Sequence, residues 1–128
     1  MSIKSPQTLV SEALNEVKTI TPEEAMKLNS ENKCNLIDIR DGVELEKLGA
    51  IENSFHIPRG LLEFKLAPNS PNNPVLINNN TNILVYCAGG YRSALAAKTL
   101  LDLGFKNVYN LGGFQEWVEC GGEIQPGL

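Results

Sequence analysis

The sequence predicts an α/β protein built on a parallel sheet, and three observations support this class. Residues 35–39 and 83–86 are short apolar runs with little polar alternation, which is typical of strands buried on both faces. Residues 93–103 are rich in alanine and leucine and form the strongest helical pattern in the chain. Strands and helices alternate along the sequence, and this order implies parallel strands.

The first half of the chain predicts helices with clear start and stop signals. Residues 6–18 repeat apolar side chains at helical spacing. Thr21 is a predicted N-cap, Pro22 occupies the first helical position, and this second helix runs to about residue 28. The elements expected next are a turn at 29–33, the strand at 35–39, a helix at 43–48 ended by Gly49, a strand at 54–57 stopped by Pro58, and a helix at 60–66.

The second half is predicted around one central strand. Residues 67–82 are rich in proline and asparagine and predict a long solvated loop that Leu76 and Ile77 are expected to pin down. The elements expected next are the central strand at 83–86, the helix at 93–103 stopped by Gly104, a last short strand at 107–110, a turn at Gly112 and Gly113, a helix at 114–118, and an irregular tail from 121 to 128.

Length and composition restrict the class of protein. The 128 residues suit one compact domain, and the net charge of −4 argues against nucleic acid as a partner. No apolar run reaches the length of a membrane span, and the first ten residues do not resemble a secretory signal. The three cysteines are widely spaced and fit neither a zinc site nor a disulfide framework, so we expect no metal and a cytoplasmic location.

The most informative segment is residues 87–93, CAGGYRS, which joins the central strand to the strongest helix. A cysteine at this junction faces unpaired backbone N–H groups and the positive end of the helix dipole. Those groups stabilise a thiolate, which is the nucleophilic form of cysteine, and the glycines allow successive amides to point at one anion. The alternative is a small buried side chain without reactivity. The combination of strand, glycine loop, arginine and helix favours a nucleophilic Cys87.

Four segments together resemble the rhodanese homology domain in its single-domain sulfurtransferase form. They are residues 36–40 (LIDIR), 49–60 (GAIENSFHIPRG), 87–93 (CAGGYRS) and 111–117 (LGGFQEW), in the family's order and spacing. The resemblance covers about residues 20–119, and we expect a rhodanese-like domain at 20–128 after an N-terminal helical extension at 1–19. It implies a three-layer fold with a central, mostly parallel five-stranded sheet flanked by helices.

The resemblance also implies a mechanism and no cofactor. Rhodanese-like enzymes move a sulfane sulfur from a donor such as thiosulfate or a persulfide, through a cysteine persulfide, to cyanide or a thiol. The acceptor is a small molecule or a protein. The segment 49–60 departs from the family because Ala50 replaces the usual histidine, and His56, the only histidine, is interpreted as an ordinary side chain. The related phosphatases and arsenate reductases have C-x5-R, whereas Cys87 and Arg92 give C-x4-R, which favours sulfur transfer.

The candidate site residues fall into three groups by expected role. Arg92 is expected either to bind the donor anion or to pair with Asp38 or Glu44 and so fix the loop's shape. Cys34 and Cys120 are interpreted as bystanders, although a resolving role for Cys120 stays open. The assignments are Cys87 as catalytic nucleophile, Ala88, Gly89, Gly90, Tyr91, Arg92 and Ser93 as the substrate and anion-binding loop, and Asp38 and Arg59 as loop-organising or rim residues.

Two alternatives to a sulfurtransferase remain open at this level. One is a non-catalytic or regulatory binding module that docks through the N-terminal helix. The other is a sulfur carrier or redox sensor in which the Cys87 persulfide is delivered to one specific acceptor. The sequence leaves the oligomeric state open.

Overall fold

The structure, a computed structural model, describes residues 2–67, 70–71 and 81–127. Most of the loop predicted at 67–82, including Leu76 and Ile77, lies outside the described residues. The strands are β1 (Lys18–Thr19), β2 (Cys34–Asp38), β3 (Ala50–Ile51), β4 (Phe55–His56), β5 (Asn82–Cys87), β6 (Val108–Gly113) and β7 (Ile124–Gln125). The helices are α1 (Pro6–Glu16), α2 (Pro22–Ser30), α3 (Gly42–Leu48), α4 (Leu62–Leu66), α5 (Tyr91–Leu103) and α6 (Phe114–Glu119), with a 3-10 turn at Arg59–Leu61.

Five of these strands form one sheet in which every neighbouring pair is parallel. Their order is β1-β6-β5-β2-β4, so β5 is central and its C-terminal end lies next to those of β2 and β6. This arrangement confirms the predicted α/β class and the five-stranded parallel sheet. It also places the ends of β2 and β5 at the edge where parallel sheets bind ligands.

Alternate side chains of β2 and β5 enter two separate hydrophobic layers. Ile37, Val85 and Cys87 belong to the layer that contains α4 and α5, whereas Leu36 and Tyr86 face the layer that contains α2 and α6. Successive residues of a strand point to opposite faces, and both faces here are covered by helices. Cys87 therefore lies on the face covered by α5, the helix that begins just after it.

The N-terminal helix packs against α5 and leads directly into the sheet. Val10 and Ala13 are buried against Ala94, and the helix ends at Glu16. The predicted helix to residue 18 is too long, because Val17 is extended and the next two residues pair with β6 and form the edge strand β1 of the sheet. The edge of β6 offers backbone partners that a helical pattern does not reveal.

Two other predictions for the second half of the chain were wrong. Gly112 and Gly113 do not form a turn but continue β6, where a bulge shifts the register against β5. Gly112 adopts a φ of +97° there, which glycine tolerates, and in the sequence alone a pair of glycines is also typical of a turn. The tail is not wholly irregular either, because β7 pairs antiparallel with β3. Strands of two residues carry too little pattern for sequence reasoning to detect.

Candidate active site

The sulfur of Cys87 is surrounded by groups from the start of α5. The backbone N–H of Gly90 donates to Sγ at 3.0 Å, and the N–H of Ser93 donates at 3.4 Å. The thiol in turn lies 3.4 Å from the hydroxyl oxygen of Ser93, and Cys87 itself is only 1% exposed. Two N–H donors at the end of a helix of 13 residues favour negative charge on this sulfur.

The loop can take this shape because Gly90 adopts a left-handed conformation. Its φ is +95°, and it precedes the first residue of α5. A Cβ at this position would lie 3.2 Å from the Cα of Gly112. A Cβ on Gly113 would lie 2.7 Å from the carbonyl oxygen of Ala88. The Cys87 loop thus packs directly on the backbone of β6, which explains why glycines occupy both segments.

A buried polar residue that sequence reasoning missed, Asn110 of β6, holds the loop together. Its Oδ1 accepts from the Ser93 hydroxyl at 2.6 Å and from the N–H of Gly112 at 3.0 Å. Its Nδ2 donates to the carbonyl of Gly90 at 3.3 Å, and the residue is 4% exposed. The one available signal was an asparagine inside an otherwise apolar strand, because a buried amide must have partners.

Arg92 forms a two-pronged ion pair with Glu44 of α3. Its Nη1 and Nη2 donate to the two carboxylate oxygens at 2.9 and 3.0 Å. The hydrogen bonds from Arg92 hold the pKa of Glu44 below its usual value, and the same pairing raises the pKa of Arg92. Of the two partners considered for Arg92, the structure shows Glu44, whereas Asp38 binds another arginine.

That other arginine is Arg40, which forms a fully buried pair with Asp38. Arg40 Nη2 lies 2.7 Å from Asp38 Oδ2, and the Nε of Arg40 lies 3.0 Å from Oδ1. The Arg40 guanidinium also donates to the carbonyl of Gly49 and lies 4.4 Å from the ring centre of Phe114. Asp38 therefore organises the chain just after β2, through Arg40, and makes no ion pair with the Cys87 loop.

The remaining arginine and histidine candidates are engaged elsewhere. Arg59 donates to Glu63 at 2.7 Å and to Thr99 at 3.1 Å, which ties the 3-10 turn to α4 and α5. The Nε2 of His56 lies 2.7 Å from the carbonyl oxygen of Arg40. Both side chains are partly buried, and the hydrogen bonds given above are to groups outside the Cys87 loop.

The other two cysteines lie in different environments, and all three cysteines are free of disulfides. Burial raises the pKa of Cys34 to about 11. Cys120 is exposed at the end of α6, 3.3 Å from a carboxylate oxygen of Glu23, and this hydrogen bond raises its pKa. Neither environment favours a thiolate.

The outer surface of the loop borders an open groove of about 480 Å³. Tyr91 is 70% exposed and lines both this groove and a second one against α1. Over the described ranges, no three His, Cys, Asp or Glu side chains gather as a metal site would require. Within the same residues, no helix is long and apolar enough to cross a membrane.

Several known proteins share this sequence pattern. The chain is 34% identical over 104 residues to the tRNA uridine(34) hydroxylase of Chlamydia felis, covering 77% of this chain and 30% of that protein. It is 33% identical over 93 residues to the putative sulfur carrier protein YrkF of Bacillus subtilis, covering 72% of this chain and 45% of that protein. The chain thus spans less than half the length of these curated relatives.

Solved structures give similarity over nearly the whole chain. A protein of unknown function from Rhodopseudomonas palustris, described as a possible tyrosine phosphatase, has a TM-score of 0.86 at 38% identity and matches 98% of both chains. The polysulfide-sulfur transferase homodimer of Wolinella succinogenes has a TM-score of 0.75 at 35% identity, covering 93% of this chain and 85% of that one. The family model for the rhodanese-like domain matches residues 21–120, and the chain therefore belongs to the rhodanese-like domain family.

Proposed function

We propose that the chain is a sulfurtransferase that carries a sulfane sulfur on Cys87. The observation that supports this most directly is the pair of N–H groups, from Gly90 and Ser93, that point at the Cys87 sulfur. The polysulfide-sulfur transferase and the putative sulfur carrier among its relatives support the same class of chemistry.

The reaction needs only the sulfur and its surrounding amides. The Cys87 thiolate attacks the outer sulfur of the donor, forms a new S–S bond, and releases sulfite from thiosulfate or a thiolate from an organic persulfide. The terminal sulfur of the resulting persulfide then carries the negative charge. Cyanide or an acceptor thiolate attacks that sulfur, the S–S bond breaks, and the Cys87 thiolate returns as the leaving group. The loop amides stabilise the anion in both halves of the cycle.

The charges of the loop favour a persulfide or polysulfide donor over thiosulfate. Residues 88–91 carry no charge, and Arg92 is engaged by both oxygens of Glu44. Thiosulfate is a dianion, so a loop without an uncommitted cation gains little from its charge. We therefore expect faster loading of Cys87 from an organic persulfide than from thiosulfate.

Phosphatase chemistry is a second candidate because of the Rhodopseudomonas palustris structure described as a possible tyrosine phosphatase. The loop of this chain has four residues between Cys87 and Arg92, and two of its N–H groups already converge on the sulfur. That shape suits one sulfur atom better than a phosphate with three free oxygens. Release of nitrophenol from p-nitrophenyl phosphate would support phosphatase activity instead.

The decisive experiment is intact mass spectrometry after incubation with thiosulfate or with glutathione persulfide. We expect a gain of one sulfur atom on Cys87 that cyanide removes as thiocyanate. Cys87→Ser should lose this gain, and Cys120→Ser, which changes an exposed cysteine outside the loop, should keep it. Loading without release to cyanide or small thiols would indicate a carrier with one specific acceptor. No loading from either donor would instead favour a binding module that docks through α1.

A cytoplasmic location is part of the same proposal. The three unpaired cysteines suit a reducing compartment, in which a persulfide is exchanged with thiols. Fractionation of the producing cell with an antibody against the chain tests this location.

A further inference from the structure

The hydroxyl of Ser93 lies near two oxygen acceptors, and the heavy-atom geometry indicates which one accepts its hydrogen bond. Asn110 Oδ1 lies 2.6 Å from Ser93 Oγ, and the carbonyl oxygen of Gly112 lies 3.5 Å away. The orientation of the Asn110 amide is fixed by its backbone partners, because Oδ1 accepts from Gly112 N–H and Nδ2 donates to Gly90. An amide oxygen can only accept, so Ser93 must be the donor in this short contact.

This arrangement leaves a lone pair of Ser93 facing Cys87. The thiol proton can then be donated to Ser93 Oγ across 3.4 Å. A thiolate or persulfide has no such proton, and it needs donors rather than lone pairs. To help the anion, the Ser93 hydroxyl must rotate its proton away from Asn110 and towards the sulfur.

We propose that Asn110 is a positioning residue that competes with the Cys87 sulfur for the proton of the Ser93 hydroxyl. In the thiol state the proton lies on the Asn110 side, and in the anionic state it turns to the sulfur while Asn110 keeps its bond to Gly112. Asn110 therefore sets how readily the sulfur becomes an anion. This inference rests on Cys87 being the reactive sulfur of the proposed function.

The charged groups near the loop are accounted for separately. Arg92 of α5 is paired with Glu44 of α3. Glu116 of α6 approaches Gly112 and Gly113, since a Cβ on either glycine would lie within 3.6 Å of its carboxylate. Asp38 at the end of β2 and Arg40 just after it pair with each other. None of these groups changes in the variants below, so their effect on the sulfur is common to all of them.

The test follows the titration of Cys87 by the carbon-13 shift of its Cβ, which needs no reagent to reach the buried sulfur. Asn110→Leu removes the competing acceptor at similar size. We expect the midpoint of the Cys87 titration to fall by about one pH unit, equivalent to about a tenfold change in the ratio of thiolate to thiol, because one hydrogen bond is redirected to the anion. In a Ser93→Ala background, the same Asn110→Leu change should leave the midpoint where Ser93→Ala alone puts it.

The double-mutant cycle separates this role from a merely structural one. An equal fall with and without the Ser93 hydroxyl would mean that Asn110 acts by shaping the loop, and it would overturn the proposal; so would the absence of any fall. Asn110→Asp keeps the acceptor and adds negative charge, so its midpoint should rise. A fall in Asn110→Asp would contradict the proposal even if Asn110→Leu failed to fold. The titration needs no sulfur donor, so its result can be interpreted even if the protein fails the sulfur-transfer assay.

Discussion

The ends of β2 and β5 are adjacent in the parallel sheet, yet they stabilise negative charge in different ways. Asp38 of β2 lies opposite Tyr86 of β5, the residue that precedes Cys87, so the two groups are on neighbouring strands. The carboxylate is fully buried and both its oxygens are bound by Arg40. The Cys87 sulfur is also buried, but its donors are backbone N–H groups, and among the residues that the structure describes no side-chain cation binds it directly.

This difference separates a structural group from the group that we propose is reactive. A carboxylate neutralised on both oxygens by its own chain has little capacity left for a substrate. A sulfur held by amide dipoles keeps its charge available, because the dipoles stabilise an anion without forming an ion pair that must be broken. Position at the carboxyl end of a parallel strand is therefore shared by both groups, and the type of donor distinguishes them.

The largest expected effect on stability comes from breaking the pair at the end of β2. Arg40→Met leaves the buried Asp38 charge without its partner, and the free energy of unfolding should fall by about 3–5 kcal/mol. The double variant Asp38→Asn with Arg40→Met should recover part of this loss because no bare charge remains. Urea unfolding at neutral pH measures both.

The activity of Arg40→Met sharpens the contrast with the Cys87 loop. Sulfur loading per folded molecule should stay close to that of the parent chain, because Arg40 makes no hydrogen bond to the loop. A loss of sulfur loading by a fully folded Arg40→Met variant would mean that the ends of β2 and β5 act as one site, and it would contradict their separate roles.

The next effect in size is expected at Gly90, on which the amide donors of the loop depend. Gly90→Ala places a side chain at a φ of +95° and 3.2 Å from the Cα of Gly112. Relief of that strain moves the Gly90 N–H away from the sulfur, and we expect the rate of sulfur loading to fall about tenfold or more. Intact mass spectrometry at short times gives this rate.

Gly89→Ala is the matched control for this variant. A Cβ on Gly89 meets only the Tyr91 ring at 3.7 Å, which is ordinary van der Waals contact. Its loading rate should stay within about twofold of the parent chain, because no amide donor has to move. Equal losses in the two variants would mean that general loop stiffness matters more than the direction of the Gly90 N–H.

The contrast between the two strand ends also explains what the sequence could reveal. The Cys87 loop was predictable because its strand, glycines and helix N-terminus are contiguous, so local patterns describe the whole arrangement. Glu44 and Asn110 come from 48 and 17 residues away from their loop partners Arg92 and Ser93, respectively. Contacts across such separations depend on strand order and helix packing, which one sequence does not specify. The sequence therefore suggested two candidate partners for Arg92, Asp38 and Glu44, without a basis for choosing between them.

The same limit applies to the fold. The class and the central strand followed from apolar runs and helix signals that lie within single elements. The pairing of β3 with β7, and the continuation of β6 through its two glycines, depend on partners elsewhere in the chain. Their sequences alone look like loop and turn.

The smallest expected effect concerns the ion pair that braces the loop from outside. Arg92 holds the pKa of Glu44 below its ordinary value of 4.5, so the pair stabilises the folded state at neutral pH. That stabilisation is present above the ordinary pKa of Glu44 and is lost as the pH falls through the lowered value. Because Arg92 is 40% exposed, we expect Glu44→Gln to cost only about 0.5–1 kcal/mol at neutral pH.

Unfolding in urea at about pH 7 and about pH 3 tests this prediction, because these values lie on either side of the titration of a carboxylate. The difference between the parent chain and Glu44→Gln should be present at the higher pH and should shrink at the lower one. Asp102→Asn, which removes an exposed partner of Lys98 far along α5, provides the comparison for a surface ion pair. A cost for Glu44→Gln that persists at low pH would show that Glu44 acts through something other than the charge that it shares with Arg92, such as the hydrogen bond that it accepts from the Asp41 N–H at the start of α3.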